Sequence, residues 1–326
     1  MSPSPVTGLR RDVAVPELAP AVPAAHRGRR GRPRGLVTIA LFLAPALVLF
    51  LLLVIAPIVV AAYASMYKWN GFGLPEDYVG LDNFTRAFSD PVFQGDLWRA
   101  GILIVLSLLI QLPASLGLAM LLNQPLRGRS VYRLLFFAPY VLSEVTTAVL
   151  FTLVFSPNRG LGDALSGLLG VEAVFADPDT VLFALFLVIS WKYFGFHMIL
   201  YLAGRQNIPR ELTEAATTDG ATSWQVFRHV TLPLLGPTIR ISIFLSVIGT
   251  IQLFDMVWVL TGGGPIHASE TMAVTMFQHG FRRFEVGYAS AISIIMFLLS
   301  LVFALFYQRV VMRRDTEGAI TTRGVQ

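Results

Sequence analysis

The sequence predicts an all-α integral membrane protein with six transmembrane helices. Three observations predict it. Of 326 residues, 55% are hydrophobic and 14% are charged, whereas soluble domains carry about a quarter charged. Six mostly apolar stretches recur along the chain, each near the ~20 residues that cross a bilayer as a helix. Basic residues gather at alternate ends of those stretches, the bias that sets membrane orientation. No run shows the ten-residue alternation of a membrane barrel.

The spans are expected at about 36–66, 101–125, 133–155, 181–203, 239–261 and 286–308. The first, second and sixth carry no charge. Glu144, Lys192 and Asp255 lie inside the third, fourth and fifth. An A-x-A pattern in Ala61–Ser65 resembles a cleavage site, but the apolar run before it far exceeds the ~7–15 residues of a signal peptide. A retained first span is expected. Residues 1–35, rich in Pro, Ala and Arg, are expected to form a disordered basic tail, with Arg27–Arg34 against anionic lipid. Residues 313–326 form a second tail.

With the N-terminus inside, the cytoplasmic segments hold eighteen arginines. The external segments hold six basic and eleven acidic residues, Glu76, Asp82 and Asp163 among them. Both termini and the segment 205–237 are therefore expected in the cytoplasm. Basic residues dispersed over span ends do not form a nucleic-acid surface. There is no cysteine, so disulfides and thiolate chemistry are excluded. The five histidines show no metal-ligand pairing, and no phosphate-binding G-x-x-x-x-G-K-[ST] occurs. No catalytic residue, metal site or bound cofactor is expected on this chain.

The segment 205–237 reads as helix, tight turn, helix. Asn207 and Pro209 suit a helix start. Gly220 suits the left-handed residue that ends it. Thr222 and Gln225 form a capping box for a second helix, which Pro233 is expected to disrupt. Small residues Ala215, Ala216, Gly220 and Ala221 let another backbone approach, and Glu214 and Asp219 offer charge. From the residues alone, a docking surface and an ordinary interfacial helix remain equally open.

A transport pathway shows as polar groups at membrane depth. Glu144, Lys192 and Asp255 qualify, with Lys192 neutralised by either acid. They serve either a pathway or an ion-paired lock between helices. A sugar site pairs aromatic faces with hydrogen-bonding groups. The candidates are Trp191, Tyr193, Phe254 and Trp258, with Thr146, Thr147, Gln252 and Ser290.

Glu214-Ala215-Ala216, Gly220 and Leu232-Pro233 resemble the EAA loop of type I ABC-importer permeases, and Asp219 and Ala221 fit the sugar-importer version. Tyr67–Gly73, Val79–Phe84, Phe254–Pro265 and Gly287–Ser293 resemble maltose- and glycerol-phosphate-type permeases, so the likeness covers about 36–312. It implies the type I ABC importer permease fold in a bacterial plasma (inner) membrane. It implies that Glu214 anchors a coupling helix in an ATPase cleft, with Gly220 as its turn. The implied partners are a second homologous permease, two cytoplasmic ATPase subunits that hold ATP and Mg, and an extracytoplasmic solute-binding protein docking at Thr261–Glu270. The implied cargo is a sugar, with glycerol-3-phosphate or a related phosphodiester as the alternative. An ion-coupled secondary transporter, with Glu144, Lys192 and Asp255 as a relay, is the competing class.

Overall fold

The structure, a computed structural model, describes residues 32–124, 126–156 and 175–312. Most of the expected N-terminal tail, the C-terminal tail and Asp163 lie outside the described residues. Among these residues the secondary structure is helical, apart from one antiparallel bridge between Tyr67 and Tyr78. The chain falls into two units, Met1–Leu53 and Val54–Gln326. In the first, α1 (Arg32–Phe50) exposes Leu41, Phe42 and Leu47. Such apolar exposure suits a lipid-facing helix.

The second unit begins with α2 (Ala56–Ala64). The short α3 (Asp82–Ser89) leads into α4 (Pro91–Leu106) and α5 (Leu112–Leu122), which form one long span. That span starts at Pro91 rather than at 101. A charge-free window stops short of Asp96 and Arg99, but here they join by an ion pair of 2.6 Å and enter the helix together. Asp96 Oδ2 also accepts from Thr275 Oγ1 at 2.5 Å. Paired and hydrogen-bonded, a buried carboxylate is tolerated.

The third span is broken. α6 (Arg129–Val141) and α7 (Glu144–Val154) meet at 99° across Leu142 and Ser143. The fourth, α8 (Val181–Gln206), is continuous. Gly195 lets it touch α6, because a Cβ there would stand 1.9 Å from the Phe136 carbonyl oxygen. The fifth span consists of α12 (Gly236–Ile251), a break at Gln252–Phe254, and α13 (Asp255–Leu260). The segment before it forms α9 (Arg210–Thr218), α10 (Ser223–Val226) and α11 (Leu232–Leu234). α14 (Met272–Phe277) and the sixth span α15 (Val286–Tyr307) complete the fold. Four helical tracts are long and apolar enough to cross a membrane among the described residues, or six if α6 with α7, and α10–α11 with α12, each count as one bent span.

Three wide, π-type turns, Leu51–Ile55, Ser107–Gln111 and Phe227–Thr231, each lead into a helix with proline in its first turn. Proline lacks an N–H and displaces the carbonyl four residues back. For Pro57, Pro113 and Pro233 that residue is Leu53, Leu109 and His229, each inside the wide turn. The extra residue in the turn absorbs the displaced carbonyl. Pro233 therefore does not end its helix, contrary to the sequence expectation. The 65° bend falls two residues later, at Leu235.

Candidate functional site

A cavity of about 370 Å³ opens where the two broken spans face α8 and the junction of α4 with α5. Unpaired backbone is costly in lipid and persists only where it is buried in protein or lines a cavity. Both breaks meet that condition through specific donors. Thr271 Oγ1 donates to the Leu253 carbonyl at 2.8 Å. Lys192 Nζ, from α8, donates to the Leu142 carbonyl at 2.5 Å. On the other side of that break, Ser143 Oγ accepts from the Thr146 amide at 3.0 Å and caps α7. Glu144 follows as the first residue of α7, where the helix dipole favours an anion. Tyr193 donates its hydroxyl hydrogen to Glu144 Oε1.

The cavity brings Glu144, Tyr193, Gln252, Phe254 and Asp255 together. Glu144 and Tyr193 come from the third and fourth spans, and the other three from the fifth. Other sequence candidates lie elsewhere. Lys192 does not line the cavity and forms no ion pair with Glu144 or Asp255. Its ammonium bonds the Leu142 carbonyl, which the chain break leaves without a helical partner, while the Glu144 charge acts on it without a contact ion pair. Trp191 packs edge-on to Phe151, 5.1 Å between centroids. Trp258 stacks on Phe254 and carries the Arg282 guanidinium 4.7 Å over its ring. Ser290 sits on α15 outside the cavity lining. Thr146 serves the cap, and Thr147 is fully buried.

Sequence reasoning missed Ser107, Gln111, His197, Ser246 and Thr250, which also line the cavity. Ser107 Oγ donates to Gln111 Oε1 at 2.8 Å and lies 2.7 Å from Ser246 Oγ. His197 Nδ1 lies 2.7 Å from Ser242 Oγ. Their signal was polarity inside an apolar span, the same signal that singled out the charged residues, but single uncharged polar residues are common in packed spans.

The cytoplasm-assigned segment is built differently. Asn207 closes α8 rather than opening the next helix, and Pro209 stands at the start of α9. α9 ends with Gly220 at φ +84. The Ala221 amide donates to the Ala216 carbonyl and the Gly220 amide to Thr217, both at 3.0 Å. Those two bonds are the Schellman closure of a helix. Thr222 and Gln225 cap α10 reciprocally. Glu214, Ala215, Asp219 and Pro233 are exposed, Ala216, Ala221 and Leu232 half-buried. Trp224 is also exposed and packs on Phe227 at 5.4 Å.

Thr261–Glu270 is tied down at its base. Thr261 Oγ1 lies 2.7 Å from Ser269 Oγ, which donates to the Gly264 carbonyl at 2.6 Å. Glu270 is buried, bonded to His267 and to Thr275, while Ile266 at the tip is 87% exposed. Close by in sequence, Glu285 accepts from Arg86 at 3.0 Å and His279 at 2.6 Å. Burial raises the Glu285 carboxyl's pKa, but those two donors outweigh it and hold it below the ordinary carboxylate value.

Four membrane-length helical tracts among the described residues, six counting each bent pair as one, a polar cavity among them and an exposed helical pair define a transport permease. Residues 111–315 match the family described as "Binding-protein-dependent transport system inner membrane component", and the chain belongs to that family. It is a multi-pass inner-membrane protein with the type I ABC importer permease fold, in a family whose ATPase is a separate subunit. The sulfoquinovosyl glycerol transport system permease protein SmoG of Agrobacterium fabrum is 33% identical over 278 residues, 84% of this chain and 90% of the relative. The trehalose/maltose transport system permease protein MalF of Thermococcus litoralis is 32% identical, covering 83% and 92%. A crystal structure of a bacterial alginate ABC transporter, in complex with an alginate pentasaccharide-bound periplasmic protein, aligns with TM-score 0.74 at 26% identity. That alignment covers 87% of this chain and 96% of the other.

Proposed function

We propose that this chain carries a sugar, a mono- or oligosaccharide, into the cell as one membrane subunit of a binding-protein-dependent ABC importer. The observation that carries the reading is the cavity between the two broken spans, where hydrogen-bonding groups stand beside the aromatic faces of Tyr193 and Phe254. A pyranose presents apolar C–H groups on its faces and hydroxyls at its edge, and such a lining suits both. Sugar-transport permeases among the relatives support the same reading.

A second, homologous permease completes the pathway, which accords with Gln252 and Asp255 lining the cavity yet being exposed in the single chain. Two cytoplasmic ATPase subunits hold ATP and Mg; this chain binds neither. Glu214 anchors α9 in an ATPase cleft, and the Gly220 turn makes α9 and α10 one stiff unit. When the cleft moves, that unit moves as a rigid body and tilts the spans attached to it. A solute-binding protein docks on the external side at Thr261–Glu270, whose tied base presents Ile266. Both termini lie in the cytoplasm.

Glycerol-3-phosphate is the alternative cargo, and an ion-coupled secondary transporter the alternative class. The test is ATPase activity of the reconstituted four-subunit complex with its binding protein. A neutral saccharide is expected to stimulate it. Stimulation by phosphate ligands alone would overturn the sugar assignment.

A further inference from the structure

We infer that the cavity selects uncharged sugars and rejects anionic ones, and that Glu144 and Asp255 set this choice. The inference rests on the reading of the cavity as the sugar pathway. Among the described residues neither lysine nor arginine lines the cavity, while two carboxylates do. Lys192 donates its ammonium to the Leu142 carbonyl and does not line the space, although its charge acts on Glu144. His197 lines it, but its Nδ1 is engaged with Ser242. Glu144 Oε1 accepts from Tyr193, which leaves Oε2 for a sugar hydroxyl. Asp255 opens α13, lines the cavity and is exposed in the single chain.

A carboxylate only accepts hydrogen bonds, so it pairs with hydroxyls and not with a uronate, sulfonate or phosphate oxygen. A second anion within about 4 Å of one is disfavoured several-fold in a water-like medium and about a thousandfold at intermediate dielectric. A site built for an anionic cargo places convergent cations there instead. Gln111, Gln252 and Ser246 supply both donors and acceptors, which an uncharged polyol uses in full.

The test is competitive uptake by the reconstituted complex with its binding protein, reading the ratio of anionic to neutral import. The panel holds neutral di- and trisaccharides, a uronic-acid oligomer and a sugar phosphate. The wild type is expected to import a neutral saccharide and neither anion. Glu144→Gln and Asp255→Asn are expected to lower neutral import about tenfold, the worth of one hydrogen bond to a charged group, and to make anionic import measurable, so that the ratio rises from zero. Asp255→Glu, which keeps the charge, is expected to retain the wild-type ratio. Import of the uronate or phosphate by the wild type would overturn the inference and leave the sugar pathway standing or shifted to phosphate. An unchanged ratio in both neutralised variants would also overturn it. Import of no saccharide at all would remove the sugar reading, and this inference with it.

Discussion

Lys192 shows how a membrane charge can serve a backbone. Its ammonium satisfies the carbonyl that the 99° break exposes. If that is its whole role, Lys192→Gln, which keeps an N–H donor, is expected to retain saccharide-stimulated ATPase close to wild type. Loss of stimulation would restore a pathway role. Glu285, just ahead of α15, has a folded-state pKa below its ordinary 4.5. Its contribution to stability is therefore present above about pH 4.5 and is lost as pH falls through the lowered value. Glu285→Gln is expected to flatten the acid limb of a Tm-against-pH profile; an unchanged limb would mean that the Arg86 and His279 contacts are too solvent-screened to matter. Glu144 and Asp255 stood out in the sequence because polarity at membrane depth is costly without a purpose, and Tyr193, Phe254 and Gln252 because aromatic and hydrogen-bonding groups suit a sugar. Lys192, Trp191 and Trp258 carried the same signal, but it cannot tell a cavity from a carbonyl, a ring or a guanidinium.

At the scale of elements, close approach and turn geometry decide. Gly195→Ala would place a methyl inside the Phe136 carbonyl and push α6 from α8. A large loss of thermal stability is expected, ~1–3 kcal/mol or more as for overpacked cores, read from detergent-solubilised complex. Gly220 has open space around its Cβ position but φ +84. Gly220→Ala therefore costs only backbone strain, ~1 kcal/mol, seen as faster amide exchange in α9 and α10. The capping box and the Gly220 turn were legible because both depend on a few adjacent residues. The span breaks were not. Leu142–Ser143 and Gln252–Phe254 look like any other span interior, because what sustains them are donors distant in sequence, Lys192 and Thr271. The wide turn before Pro233 was equally hidden, since proline alone predicts a helix end.

At the scale of the whole molecule, the six-span, all-α architecture followed from composition and apolar run length, which the bilayer imposes on any chain that crosses it. The cavity needed the structure, because it is assembled from spans far apart in sequence. Glu214→Ala belongs to this scale. It is expected to leave six spans intact while ATP hydrolysis no longer drives uptake, and unchanged ATP-dependent uptake would remove Glu214 from the coupling role. The most direct test of the account is labelled-saccharide uptake into proteoliposomes holding the full complex, with ATP inside, binding protein outside and ion gradients collapsed. The account predicts uptake that requires both ATP and the binding protein and persists without any gradient. Uptake driven by a proton or sodium gradient in the absence of ATP would contradict it, and would make Glu144 and Asp255 parts of an ion relay.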